Sequence, residues 1–218
     1  MLSSFAFSMN AVGFAAPAAM SENRAMVTIA AFFAIFFFSI TALLAIKNFI
    51  LGFHAMMEKG ISREASASLW ILIPILTLLG ITAIRLHHGL HFLSHDEGGS
   101  SFYFILCSAI VSLQIFIGIL GFVIMRQNNY FPEFIHGISD DDSIEAVRTP
   151  ATYALICPGV AFWVFGMFFI DKALIHSGLL NLFSGMYFLL LFPLLLVLVK
   201  TIRVNWTLNR RLLKEEVV

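Results

Sequence analysis

The sequence is poor in charged residues: only 12% of its 218 residues are Asp, Glu, Lys or Arg. A soluble domain carries roughly twice that fraction, and 60% of this chain is hydrophobic, with 24 phenylalanines. The shortage of charge excludes an ordinary soluble domain and predicts an integral membrane protein whose main partner is the lipid bilayer. The formal net charge is zero and no nucleic-acid-binding motif is present, so we expect no nucleic-acid partner.

Cysteine is scarce as well. The two cysteines, Cys107 and Cys157, both fall inside apolar stretches, which is not the pattern of a secreted disulfide framework. The N-terminus lacks the basic region and short apolar core of a cleaved signal peptide. Long linkers are also missing, which predicts a single transmembrane domain over residues 1–218.

What the chain does contain is six apolar stretches. A helix needs about 20 apolar residues to cross the hydrocarbon core of a bilayer. We therefore predict an all-α, polytopic membrane protein with about six transmembrane helices, at residues 2–20, 26–53, 69–93, 102–125, 150–170 and 179–199. The first stretch is the weakest, because it contains Asn10, Gly13 and Pro17. It also contains small residues of the kind that form helix–helix contacts in membranes: Ala15, Ala16, Ala18 and Ala19.

Lys and Arg are distributed unevenly between the loops. Ten of them fall on one side, in the second-to-third loop, the fourth-to-fifth loop and the C-terminal tail: Lys47, Lys59, Arg63, Arg126, Arg148, Lys200, Arg203, Arg210, Arg211 and Lys214. The loops of the other side hold only Arg24 and Lys172. Since cytoplasmic loops are enriched in Lys and Arg, we predict a multi-pass protein with both termini in the cytoplasm.

Prolines mark the odd-numbered stretches, with Pro17, Pro74 and Pro158 in the first, third and fifth. Proline removes a backbone hydrogen bond, and in lipid the freed carbonyls must face protein or a water-filled cavity. We therefore predict helical hairpins whose proline-bent odd members line a cavity or pore, with a constriction at Cys157, Pro158 and Gly159. The alternative is that prolines are simply frequent in membrane helices.

Three strings resemble the tellurite-resistance/C4-dicarboxylate transporter family, which includes the plant slow-type anion channels: FSMNAVGFAAP, SLWILIPILTLLG and YALICPGV, in the first, third and fifth stretches. That family has ten helices in five hairpins around a pore lined by the odd-numbered helices. The six stretches would correspond to its helices five to ten. The strings are most similar to a divergent bacterial branch, the TsoY-type proteins, in which the position of Cys157 holds Cys or selenocysteine. The resemblance covers nearly the whole chain and implies transport of a small solute, an anion or a sulfur-type compound, across the bacterial inner membrane.

The chain departs from that family in two ways. It has about half of the family's length, which implies a fragment that begins at an internal methionine, or a half that assembles with another chain. We accordingly expect an oligomer or an association with a missing N-terminal half. The family's anion channels also place a gating phenylalanine beside the proline of the ninth helix, where this sequence has Cys157. Phe162 and Phe165 follow on the same helix, and Phe162 is kept as a candidate pore residue.

Arg85 lies about two-thirds of the way through the third stretch. An arginine within a membrane helix costs about 2.5–3.5 kcal/mol at the centre, and such residues usually face a bundle interior or water. One interpretation is an anion-attracting charge in the outer half of a pore, with Thr77 and Thr82 as hydroxyl donors. The other is a side chain that extends to the outer interface.

Four histidines follow within nine residues: His87, His88, His91 and His95. Helical spacing puts His87 beside His91, and His91 beside His95. Imidazole is a good ligand for zinc, copper or iron, so a bound metal ion is one interpretation. A polar helix end, a pH sensor and a proton relay are others. A second ligand set of a defined metal motif is missing, and we predict no resident cofactor.

These patterns predict a transport protein, channel-like or carrier-like, and not an enzyme. Two alternatives stay open. The first is a membrane redox or metal-handling protein that uses the His87–His95 cluster and Cys157, whose thiol is either reactive or a small apolar side chain that fits a kink. The second is an accessory subunit of a membrane complex.

Overall fold

A computed structural model describes residues 2–60, 64–94, 100–136 and 150–213. Within these ranges the protein is helical and contains no strand. The α-helices are α1 (Leu2–Met20), α2 (Arg24–Lys59), α3 (Leu72–Ser94), α4 (Ser100–Gln127), α5 (Ile156–Phe168) and α6 (Gly185–Leu213). The 3₁₀ segments Glu64–Ile71 and Pro150–Leu155 lead into α3 and α5, and the π-helical segments Phe131–His136 and Phe169–Ile175 follow α4 and α5.

Five helical stretches of the described chain are long and apolar enough to cross a membrane: Arg24–Met56, Ser66–His91, Ser101–Gln127, Thr152–Ile175 and Gly185–Leu212. The predicted all-α, polytopic membrane fold is thereby confirmed. α1 forms a continuous helix but is not among the five, because Asn10, Pro17 and its serines lower its mean hydropathy. The last helix begins at Gly185 and not near Leu179, since residues 179–184 form turns.

Pro74 and Pro158 lie near the starts of α-helices and not in the middle of them. Each is the third residue of its helix, α3 or α5, and each follows a 3₁₀ segment. Proline cannot donate to the carbonyl four residues before it, and its ring collides with that carbonyl. The α-helical ladder therefore starts after Trp70 and after Ala154, and the backbone before it takes the tighter 3₁₀ geometry. Pro17, by contrast, lies in the last turn of α1.

The odd-numbered helices lie beside one another in a row. α1 packs on α3 and α3 packs on α5. The even-numbered helices cover this row: α2 packs on α1 and α3, α4 packs on α3 and on the segment after α5, and α6 packs on α5. Of the five spans, α3 is the most buried and α6 the least. This order agrees with the hairpins predicted from the prolines.

Small residues bring α1 close to α2 and α3. The buried face of α1 consists of Ser4, Ser8, Ala11, Ala15 and Ala18. The facing side of α2 contributes Ala30, Ala31 and Ala34. Gly89 of α3 sits against the carbonyl of Ala18, where a side chain would find no room. Small residues let helix backbones approach closely in a membrane, and the contacts predicted for Ala15 and Ala18 are confirmed.

The centre of the bundle is a cluster of buried apolar side chains. Its members come from α3, α4, α5 and the π-helical segment after α5, and they are Ile81, Ile84, Cys107, Ile110, Phe165 and Ala173. The ring of Phe165 occupies the space beside Gly80 where a side chain would otherwise lie. This cluster fixes α3, α4 and α5 against one another.

Candidate functional site

A groove of about 820 Å³ runs along α5 between α4 and α6. Within the described residues, α4 and α6 both flank α5 without packing closely on each other. The walls are mainly apolar, and their larger side chains are Trp70, Ile73, Ile119, Phe122, Leu196 and Val204. The volume falls within the range of about 300–1,000 Å³ that is usual for ligand pockets.

Three of the predicted pore residues line this groove: Pro158, Gly159 and Phe162. Cys157 is exposed and is not one of the lining residues. An α-helix turns by about 100° per residue, so Cys157 and Val160 face away from the groove. Pro158 and Gly159 therefore face the groove while Cys157 faces another side of α5, so the three residues do not form a single constriction.

Gly159 brings α5 and α6 together. A side chain at Gly159 would collide with Thr201 of α6. About two turns further along the contact, a side chain at Gly166 would collide with Leu194. Both glycines lie inside the regular helix α5, so their role is to let α6 approach α5 closely.

A polar network beside the groove ties α3, α4 and α5 together. The Gln114 amide Nε2 donates to the Thr77 hydroxyl at 2.7 Å and to the Ile73 carbonyl at 3.3 Å. The Thr77 hydroxyl lies 3.1 Å from the carbonyls of Ile73 and of Ala161 and donates to one of them. Thr82 donates to the carbonyl of Leu78 in its own helix. Because both threonine hydroxyls bind backbone carbonyls, neither is a free donor to a passing anion.

Gln114 is an unusual residue within this network. It is 1% exposed, and its Oε1 has no hydrogen-bond partner among the described residues. The amide cannot be turned around, because the Ile73 carbonyl only accepts hydrogen bonds and must meet Nε2. A buried polar atom without a partner costs about 1–3 kcal/mol. The position was visible in the sequence as a lone amide in an apolar stretch, but its partners were not.

One end of the groove is cationic. Lys200 and Arg203 line it from α6 and His136 lines it from the π-helical segment, while no acidic residue is among the lining residues described. Lys200 and Arg203 are both exposed. Nearby, Arg211 donates to the carbonyls of Glu133 and Phe134, at 3.1 and 2.9 Å, and so fastens that segment to α6.

Arg85 lies elsewhere, between α3 and α1. Its Nη1 donates to the carbonyl of Val12 at 3.3 Å. No ion pair to Arg85 exists in the part of the chain that the structure describes. Arg85, Pro17 and Pro74 are not among the residues that line the groove. The predicted site residues therefore divide between the odd-helix row and the α4–α6 groove.

The histidines form a pair at the far end of α3. His87 and His91 face each other with their Nε2 atoms 3.3 Å apart, as their spacing predicted. His87 Nδ1 lies 3.0 Å from the Tyr103 hydroxyl, and the Phe102 ring stacks on the imidazole. His88 is exposed, and His95 lies outside the described residues. Among the described residues, no three His, Cys, Asp or Glu side chains form a group that could hold a metal ion.

Cys157 and the histidine pair lie at opposite ends of the bundle. Cys157 is at the start of α5, whereas His176, at the end of the following π-helical segment, approaches Tyr103 next to the pair. The 19 residues from Cys157 to His176 rise by about 25–28 Å along this helical stretch, at about 1.5 Å per residue or slightly less. A single redox site cannot contain both groups.

No protein-family model, curated protein or solved structure matches this chain. The family resemblance of its three proline-containing strings stays a prediction.

Proposed function

We propose that this chain is a membrane transport protein for a small anion, and that the solute passes along the row of odd-numbered helices. The observation that carries the proposal is Arg85. Its guanidinium lies inside a membrane span and makes no ion pair within the described chain. Charged residues in spans usually face a bundle interior or a water-filled path, and an uncompensated arginine attracts anions to that path.

The surroundings of Arg85 support this role. Its side-chain hydrogen bond runs to Val12 of α1, so the side chain sits at the contact between two odd-numbered helices and not against lipid. α1 also exposes Asn10 and Gly13, and α5 exposes Cys157. A row of three helices forms a wall and not a closed pore. The proposal therefore includes a second wall, supplied by another copy of this chain or by another protein.

We place the protein in a bacterial plasma membrane with its Lys- and Arg-rich end in the cytoplasm. α4 ends at this side with Arg126, and α6 carries Lys200, Arg203 and Arg210 there. Arg24 and Lys172 mark the other side. The positive-inside rule then assigns the start of α5, with Cys157, to the cytoplasmic end of the path.

Anion flux in proteoliposomes tests the function. Chloride, nitrate, sulfite and succinate are offered to the wild type and to Arg85→Gln and Arg85→Lys. Flux of the preferred anion should fall about tenfold in Arg85→Gln, because losing about 1.4 kcal/mol of attraction is a factor of ten, and Arg85→Lys should retain most of it. The control is Lys172→Gln, which removes an exposed charge that already pairs with Asp171 at 3.1 Å. Equal flux in Arg85→Gln and Lys172→Gln would rule the proposal out.

The two cysteines test the path itself. Cys107 is fully buried and Cys157 is exposed. If Cys157 faces a water-filled path, a charged, membrane-impermeant maleimide should modify it from the cytoplasmic side, and Cys157→Ser should abolish the signal. Labelling only by an uncharged maleimide would place Cys157 against lipid and contradict the path.

A second candidate function is metal handling, and the His87–His91 pair favours it. Zinc–nitrogen bonds of about 2.0–2.1 Å in a tetrahedral site put two ligand nitrogens roughly 3.3 Å apart. The two Nε2 atoms have that separation. The Tyr103 hydroxyl at His87 Nδ1 would orient the ring from the second coordination layer, as such partners do in metal sites.

Zinc and copper binding distinguishes the two candidates. Elemental analysis and titration with Zn²⁺ or Cu²⁺ should show a stoichiometric ion that His87→Gln and His91→Gln each remove. His88→Gln is the matched control, because His88 is exposed and takes no part in the pair. Equal binding in all three variants would contradict a metal site at this pair.

A further inference from the structure

We propose that the α4–α6 groove holds an anionic phospholipid, with an acyl chain against its apolar walls and the phosphate at Lys200 and Arg203. This inference is independent of the proposed transport function, because it concerns a different face of α5. Its occupant is a membrane lipid and not the transported solute.

The position of the groove points to lipid. Its two side walls belong to the spans Ser101–Gln127 and Gly185–Leu212, and its floor includes residues of Thr152–Ile175. The outward residues beside it, including Phe116, Leu195 and Ile202, are exposed and apolar. Because α6 is the least buried span, the groove opens sideways toward the hydrocarbon layer, where acyl chains surround the protein.

The charge pattern selects an anionic head group. Lys200 and Arg203 lie about one turn apart on the groove side of α6, at the end nearest the Lys- and Arg-rich side. Neither side chain makes an ion pair or a hydrogen bond within the described chain. A cation next to an anionic membrane surface is worth about 1 kcal/mol, which is about fivefold in affinity. The apolar side chains of Leu196 and Val204 continue the same face of α6 along the groove.

The occupant has room to enter without repacking the protein. At Gly118 of α4, which lines the groove, an added side chain would meet no atom within 4 Å. The Trp70 indole forms part of the wall and is held by a hydrogen bond from its Nε1 to the Gly118 carbonyl, at 3.1 Å. Trp70 is therefore a fluorescent probe fixed inside the proposed site.

Quenching of Trp70 by brominated lipid tests the proposal. The protein carries Trp163→Phe and Trp206→Phe, so that Trp70 is the one remaining tryptophan. It is placed in phosphatidylcholine vesicles that contain a small fraction of either dibromo-acyl phosphatidylglycerol or dibromo-acyl phosphatidylcholine. Phosphatidylglycerol should quench at an apparent concentration at least about fivefold lower than phosphatidylcholine.

Two variants separate the head-group contact from the chain contact. Lys200→Gln with Arg203→Gln should remove the preference for phosphatidylglycerol and leave some quenching by both lipids. Gly118→Leu should fill the groove and reduce quenching by both lipids. Gly52→Leu is the matched control, because Gly52 is also an open helical position but lies on α2, away from the groove.

Native mass spectrometry gives a second measurement on the same proteins. The wild type and Gly52→Leu should retain phosphatidylglycerol, Gly118→Leu should lose it, and the double glutamine variant should retain no more of it than of phosphatidylcholine. Equal quenching by the two lipids in the wild type would overturn the proposal. So would a change of oligomeric state in Gly118→Leu with unchanged lipid retention, since it would show that a second copy of the chain covers the groove.

Discussion

The α1–α2 contact and the α5–α6 contact are both made by apolar membrane helices, yet the first is closed and the second borders a groove. Alanine and serine fill the first seam, so that the backbones themselves come close. At the second seam, Gly159 and Gly166 meet the side chains of Thr201 and Leu194, and Phe162 stands beside the open space. Both contacts are therefore close, and the groove beside α5 is left because α4 and α6 do not pack closely on each other in the described residues.

The largest expected effect concerns Gly89, where α3 packs closely on α1. Gly89→Ala places a methyl group against the carbonyl of Ala18, and backbone cannot turn aside as a side chain does. We expect the free energy of unfolding to fall by about 2–3 kcal/mol. SDS titration in mixed micelles measures this loss.

Gly118→Ala is the matched change beside the groove. It meets no neighbour within 4 Å, and alanine favours a helix over glycine by about 0.5–1 kcal/mol. We expect equal or slightly higher stability. A loss of unfolding free energy in Gly118→Ala as large as that in Gly89→Ala would remove the distinction between the close α1–α3 contact and the open groove.

A smaller loss of stability than at Gly89 is expected at Gly159, where α5 meets α6. Gly159→Ala pushes against the Thr201 side chain, which is short but able to shift, so we expect a loss of about 1–2 kcal/mol. Thr201→Ala in the same chain should recover about half of it or more. The coupling energy from a double-mutant cycle in SDS titration measures this, and strictly additive losses would show that the two residues do not meet.

The interhelical hydrogen bonds of Thr77 should contribute less to the free energy of unfolding than the packing at Gly159 does. Thr77→Val removes the hydroxyl that Gln114 donates to, and interhelical hydrogen bonds in membranes average about 0.6 kcal/mol with a maximum near 1.7. Thr82→Val is the control, since Thr82 is equally buried but donates only within its own helix. We expect a greater loss of unfolding free energy for Thr77→Val than for Thr82→Val, and the reverse order would contradict the network.

The smallest effect is expected at Ser4. Ser4→Ala removes the acceptor of the Asn48 amide, which donates to the Ser4 hydroxyl at 3.0 Å, and should cost about 0.6 kcal/mol or less in SDS titration. Ser39→Ala, whose hydroxyl donates within α2, should have no measurable effect. A loss at Ser4 larger than that at Gly89 would show that hydrogen bonding, and not close packing, contributes most to the contacts of α1 with α2 and α3.

Much of the architecture follows from the sequence. Hydropathy predicted a helical membrane protein because lipid leaves the backbone no partner but its own helix. The alanines of α1 predicted a close helix contact, and the His87–His91 spacing predicted a facing pair. These predictions succeed because each depends on residues within one helix or on one simple packing rule.

The groove could not be predicted from patterns within single helices. Gly89 and Gly118 are both glycines in apolar stretches, yet one meets a backbone carbonyl and the other meets open space. Pro74 and Pro158 predicted bent helices, whereas each lies at the start of an α-helix after a 3₁₀ segment, and hydropathy does not distinguish 3₁₀ from α geometry. Which helices leave α5 uncovered depends on the relative placement of α4 and α6, and no local pattern encodes it.

The 3₁₀ segment before α3 also sets how much membrane a given number of residues can span. A residue rises by about 2.0 Å in 3₁₀ geometry and by 1.5 Å in an α-helix. Over the eight residues Glu64–Ile71, conversion to α geometry would shorten the span by about 4 Å. Biological membranes differ in hydrocarbon thickness by a few Å, so the extra rise of this 3₁₀ segment is comparable with the difference between a thinner and a thicker bilayer.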